Sequence, residues 1–180
     1  RKNISVWIGL SCILFFIAIA GGIVYLDNQD TIGTVQLISN AADDTETLND
    51  IQQASDAFND LIAMDMDTHL HHDIKMFVAF SPKDYQKILK QNFHLSQAEA
   101  EHIAVVTGGW SNGNTHKSVL NVSSNVMTSS SMRSSVTGHE LFHQLQTELS
   151  HKHNTNEQSL FWMDEGTADY VGAVIAEKLG

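Results

Sequence analysis

The sequence holds one cysteine, Cys12, and one proline, Pro82, in 180 residues. A single thiol excludes an intrachain disulfide and any zinc finger built on cysteine pairs. Metal chemistry in this chain therefore falls to histidine and carboxylate. One proline and eleven glycines exclude collagen-like and low-complexity readings. Basic residues are scarce as well, with ten Lys+Arg against 21 Asp+Glu and a net charge of −11. A nucleic-acid binder needs a basic face that displaces phosphate counterions, so no nucleic-acid partner is expected. The hydrophobic content, 42%, is enough for one domain of ordinary size with a real core.

What is present is unevenly distributed. Ile4 to Leu26 (ISVWIGLSCILFFIAIAGGIVYL) carries no charge and is long enough to span a bilayer core of about 30 Å as a helix. Arg1 and Lys2 precede it, and Asp27 and Asp30 follow. The positive-inside bias predicts a cytoplasmic N-terminus, with the rest of the chain extracytoplasmic. Ala18-Ile19-Ala20 keeps a cleaved signal peptide open as the competing reading, which would make the protein secreted. The expected organisation is a cytoplasmic stub and transmembrane signal-anchor over 1–26, a stalk with an amphipathic helix over 27–72, and a folded domain over 73–180.

Within that organisation, Leu48, Ile51, Ala54, Phe58 and Leu61 recur at helical spacing, with Asp50, Asp56 and Asp60 on the solvated face. Ile74–Phe80 predicts a strand. Ser81-Pro82 predicts a helix start, with Ser81 as N-cap and Pro82 in the first helical position. Ser96 and Glu99 match a capping box. Ile103–Val106 predicts a further strand, Ser111-Asn112-Gly113-Asn114 a turn, and the alternation in Ser118–Ser123 an edge strand. Strands followed by long helices predict an α+β domain.

The chemistry concentrates in residues 139–143, His-Glu-Leu-Phe-His. Histidines at i and i+4 project from one helix face one turn apart, so both imidazoles can reach one cation. Glu140 emerges beside them, placed to take a proton from water acidified by that cation. Composition alone gives about 0.02 expected occurrences of this pattern in such a chain, so a second signal decides its weight. That signal is Trp162-Met163-Asp164-Glu165-Gly166-Thr167-Ala168-Asp169-Tyr170. A zinc ion held by two histidines wants a third protein ligand and one open position. Gln146 and Leu149 occupy the places where a third histidine motif would put its Gly and His. Glu165 lies on the next helix, which a turn over 150–156 folds back against the first. Asp169, one helical turn further on, can accept the free N–H of His139 and fix its tautomer.

HELFH followed by WMDEGTADY resembles the gluzincin metallopeptidases, the thermolysin-like and aminopeptidase-N-like enzymes of the peptidase-MA-like branch. The resemblance implies a zincin-like domain: a small sheet with an edge strand, an HExxH helix and a third-ligand helix, here truncated at the C-terminus. It implies Zn2+ as cofactor, His139, His143 and Glu165 as ligands, Glu140 as the catalytic base, and Asp169 behind a ligand histidine. The Gly166–Asp169 run is also similar to aspzincins, so Asp169 stays open as an alternative third ligand.

The expected function is a membrane-anchored, extracytoplasmic zinc metallopeptidase acting on a peptide or protein substrate. An extended substrate could add to the Ser118–Ser123 edge, or that edge could simply be protected. A catalytically silent zincin-fold module for surface binding or sensing is the alternative, and a structural anchor with an accidental HExxH is a third reading. His69, His71 and His72 (HLHH), with His151 and His153, read as surface side chains, beside the alternative of a local metal or pH-sensing site. Asn121-Val122-Ser123 is a formal glycosylation sequon.

Overall fold

The computed structural model describes residues 31–39, 44–152 and 161–180. All the described secondary structure belongs to one compact unit, Ile32–Gly180. In chain order it comprises β1 (Val35–Ser39), α1 (Thr45–Asp65), β2 (Ile74–Ala79), α2 (Pro82–Asn92), α3 (Gln97–Val106), β3 (Gly109–Asn112), β4 (Lys117–Asn121), α4 (Ser130–Lys152) and α5 (Phe161–Leu179).

Local sequence accounts for the helix starts. Asp44 caps α1 by accepting the Thr47 N–H at 3.1 Å. Ser81 caps α2 through the Asp84 N–H at 3.1 Å, with Pro82 in the first turn where its missing donor costs nothing. Ser96 and Glu99 form a reciprocal capping box on α3.

The four strands make one mixed sheet in the order β1-β2-β4-β3. β2 runs parallel to both neighbours, and β3 closes the sheet as an antiparallel edge strand on β4. Strand side chains alternate between faces, and both faces of this sheet are covered. Ile74, Met76, Val78 and Leu120 join Ile51, Phe58 and Ile62 of α1, Leu141 and Leu145 of α4, and Val171 and Ile175 of α5 in the larger core. Ala79 and Val119 join Tyr85 and Leu89 of α2 and Ala100 and Ile103 of α3 in the smaller one. A strand buried on both faces reads as a mostly apolar run, which makes Ile74–Phe80, interrupted only by the exposed Lys75, conspicuous.

The expected membrane-spanning helix over Ile4–Leu26 lies outside the described residues. Among those described, no helix is long and apolar enough to cross a membrane, so the fold expectation is corrected to an α+β domain built on a mixed four-stranded sheet. The stretch over 27–72, expected as a stalk with an amphipathic helix, supplies β1, paired with β2, and α1, the expected helix, packed on the core.

Two strand expectations also change. Ile103–Val106 is the last turn of α3, because the capping box commits the segment to helix and Ala100 and Ile103 bury a helical face. Ser118–Ser123 is not an edge: β4 is hydrogen-bonded on both sides, and β3 holds the edge. Two of its polar residues, Ser118 and Asn121, are buried rather than turned to water. The Ser118 hydroxyl meets Ser111 and Gln144, and Asn121 is 2% exposed. That burial also closes Asn121 to glycan attachment.

Candidate metal centre

α4 and α5 pack antiparallel, and glycine sets their separation. A Cβ on Gly172 would lie 2.4 Å from the Ser135 carbonyl oxygen, and one on Gly138 would lie 3.0 Å from Ile175. This close approach brings the 139–143 turn of α4 opposite the 164–169 turn of α5. His139, Glu140, His143, Gln146, Asp164, Glu165 and Asp169 line a cleft of about 660 Å³, with Gly109–Ser111 of β3 along its other wall.

Four candidate ligand atoms from three side chains converge there. His139 Nε2 and His143 Nε2 are 3.0 Å apart. Glu165 reaches both, its Oε2 lying 3.5 Å from His139 Nε2 and its Oε1 3.5 Å from His143 Nε2. Asp169 takes a different place: its Oδ1 lies 2.9 Å from His139 Nδ1, on the side of the ring turned away from the cluster.

The hydrogen bonds behind the histidines fix their tautomers. A carboxylate only accepts, so the proton of neutral His139 sits on Nδ1, facing Asp169. Gln146 Nε2 donates to the Asp164 carbonyl at 3.0 Å and to Thr167 Oγ1 at 2.9 Å, which turns its Oε1 toward His143 Nδ1 at 2.8 Å. The proton of His143 therefore also sits on Nδ1. Burial and the neighbouring His143 lower the His139 pKa against the pull of Asp169 and Glu165, favouring the neutral ring.

Both Nε2 atoms then present lone pairs to each other at 3.0 Å, with no proton between them and a carboxylate alongside. Such a cluster is repulsive unless a proton or a metal cation sits between the two nitrogens. Ligands held tetrahedrally at about 2.0–2.1 Å lie about 3.3 Å from one another, close to the three separations observed. The donor set, two imidazoles and one carboxylate, suits zinc. The Glu165 side chain is 40% exposed, so the fourth position opens to the cleft.

Glu140 lies beside this cluster, buried against the sheet. Ser111 donates to its Oε2 at 2.6 Å and is itself 2.8 Å from Ser118 Oγ, which accepts from Gln144 Nε2 at 3.0 Å. A Cβ on Gly109 would lie 2.5 Å from Glu140 Oε1, so the carboxylate rests directly on the β3 backbone. Burial pushes the Glu140 pKa up to about 8; the Ser111 bond opposes the rise and Glu165 adds to it. A cation on the neighbouring ligands acts in the lowering direction.

Sequence reasoning missed Gln146 and Ser111. Gln146 is three residues after His143, a spacing that places it on the same helix face, so its signal was local. Ser111 read as a turn residue, and nothing near it in the chain points to a carboxylate 29 residues away. His151 lies at the end of α4, and nothing is described of its side chain; His153 lies outside the described residues. Comparison with family models, curated proteins and solved structures finds no match for this chain.

Proposed function

We propose that this chain is a zinc-dependent peptidase, with His139, His143 and Glu165 as ligands and Glu140 as general base. The observation that carries this reading is the convergence of two imidazoles, their tautomers set by Asp169 and Gln146, with the Glu165 carboxylate. When bound, zinc polarises a substrate carbonyl and acidifies water. Glu140 accepts a proton from the attacking water and returns it to the leaving nitrogen, the role its buried, Ser111-anchored carboxylate suits. Asp169 and Gln146 hold the ligand rings in register. β3, the edge strand beside the cleft, offers main-chain groups to an extended peptide.

The test pairs metal content with cleavage of a peptide library. Glu140→Gln removes a proton acceptor and no ligand, so it should retain one zinc per chain and lose hydrolysis. His143→Ala and Glu165→Ala should lose or greatly weaken zinc. Folded protein without zinc would refute the reading, as would a Glu140→Gln variant at the wild-type rate. Zinc and peptide binding without turnover in the wild type would point to a silent binding module.

A further inference from the structure

The histidines of 69–72 lie outside the centre above, and the fold carries two of them to another carboxylate. Glu148 follows His143 on α4 by five residues, about 7.5 Å along the axis and about 140° around it. Its side chain is 4% exposed and meets the loop before β2. There Oε2 accepts the His71 N–H at 2.8 Å, while Oε1 accepts the His72 N–H at 3.2 Å and lies 3.0 Å from His72 Nδ1. His116 approaches from the turn between β3 and β4, its ring stacked on His72 at 4.1 Å between centroids. That turn is pressed onto α4: a Cβ on Gly113 would lie 2.1 Å from Thr147 Oγ1, beside Glu148. The His116 carbonyl is tied to the Lys75 N–H at 2.9 Å.

We propose that His72, His116 and Glu148 form a second site for a late first-row transition cation, with Zn2+ as the representative ion. One ligand atom from each lies within 4.8 Å of the others. Two imidazoles and a carboxylate are a donor set for this class of ion. Glu148 is a buried carboxylate that accepts from two backbone N–H groups and meets the His72 imidazole. Full positive charge reaches it from a protonated histidine or a bound cation. Its remaining lone pairs are available without breaking the loop contacts.

The parallel stack, 10° between ring planes, puts a shared cation in the plane of one ring only. Binding therefore turns His72, whose side chain is 56% exposed and has room to rotate. Glu148 and His143 face different sides of α4, so the two sites are separate mononuclear centres rather than a bridged pair.

The inference does not rest on the peptidase reading, and one experiment separates them. Chelator-stripped full-length chain is equilibrated with Zn2+, and with Co2+ as a spectroscopic probe, and bound metal is counted. Two equivalents are expected in the wild type. His72→Phe/His116→Ala should hold one and keep its hydrolysis rate, and His139→Ala/His143→Ala should hold the other. His72→Phe alone keeps the backbone bonds to Glu148, so an unchanged circular dichroism spectrum and Tm certify its fold while its zinc affinity falls at least tenfold. One equivalent lost in His139→Ala/His143→Ala and unaffected by the other changes overturns the proposal. So does a second equivalent that survives His72→Phe/His116→Ala. One equivalent lost in His72→Phe/His116→Ala but kept in His139→Ala/His143→Ala supports this site and refutes the centre in the cleft.

Discussion

Replacing Gln146 with leucine removes three hydrogen bonds at once and leaves all three proposed ligands untouched. The amide accepts from His143 Nδ1 and donates to Asp164 and Thr167 across the α4–α5 contact. Leucine fills a similar volume, so the loss is polar rather than a cavity. Without an acceptor at Nδ1, His143 is free to carry its proton on Nε2, where it blocks the lone pair the cation needs. Loss of such a partner typically weakens metal affinity 10–100-fold, about 1.4–2.7 kcal/mol. The lost bonds to α5 take a further ~1–2 kcal/mol from folding stability. Gln146→Glu separates the two effects: its carboxylate still accepts from Nδ1 but no longer donates to α5. Chelator competition for zinc at fixed neutral pH, beside urea unfolding of the metal-free protein, reads both quantities. The expected pattern is weak zinc binding in Gln146→Leu, near-wild-type binding in Gln146→Glu, and reduced stability in both. Wild-type zinc affinity in Gln146→Leu would refute the tautomer argument.

Further perturbations probe the rest of the centre. In metal-free protein, Glu140 has a folded pKa near 8, above its unfolded value of about 4.3. The folded state binds the extra proton, so the contribution of Glu140 to stability should be full below about pH 4.3, fall as pH rises toward 8, and then level off. Glu140→Gln should flatten that slope in unfolding measured across the range. Ser111→Ala removes the donor that opposes the rise; it should destabilise the metal-free protein by about 1–3 kcal/mol and extend the slope to higher pH. Gly172→Ala drives a methyl group into the Ser135 carbonyl. The overpacking should lower stability by about 1–3 kcal/mol and weaken zinc binding as α4 and α5 part, both read in the same titrations. An unchanged zinc Kd in Gly172→Ala would show that the helix spacing does not set the ligand geometry.

What the sequence displays depends on how far apart the interacting residues lie. The α2 start is legible because Ser81, Pro82 and Asp84 settle it within one turn. His139 and His143 are legible because helical spacing alone puts them on one face. β1 is opaque by itself, since Val35–Ser39 becomes a strand by pairing with β2, some 39 positions away. The polar alternation of β4 misleads because Ser118 is satisfied by Ser111 and Gln144 inside the fold, which a local reading takes for solvent. The choice between Glu165 and Asp169 is likewise beyond spacing. It depends on the rotation of α5 against α4, which their packed faces determine.

That packing carries a consequence for the choice of ion. The Gly138 and Gly172 contacts hold the two backbones at one separation, and the 3.5 Å distances from Glu165 to His139 and His143 inherit it. Calcium binds at about 2.3–2.6 Å and takes six to eight oxygen ligands, which this narrow, nitrogen-rich corner does not provide. In the proposed centre, two hydrogen atoms where side chains could have been would thus set the reach of Glu165 across the helix pair and favour a small ion over calcium.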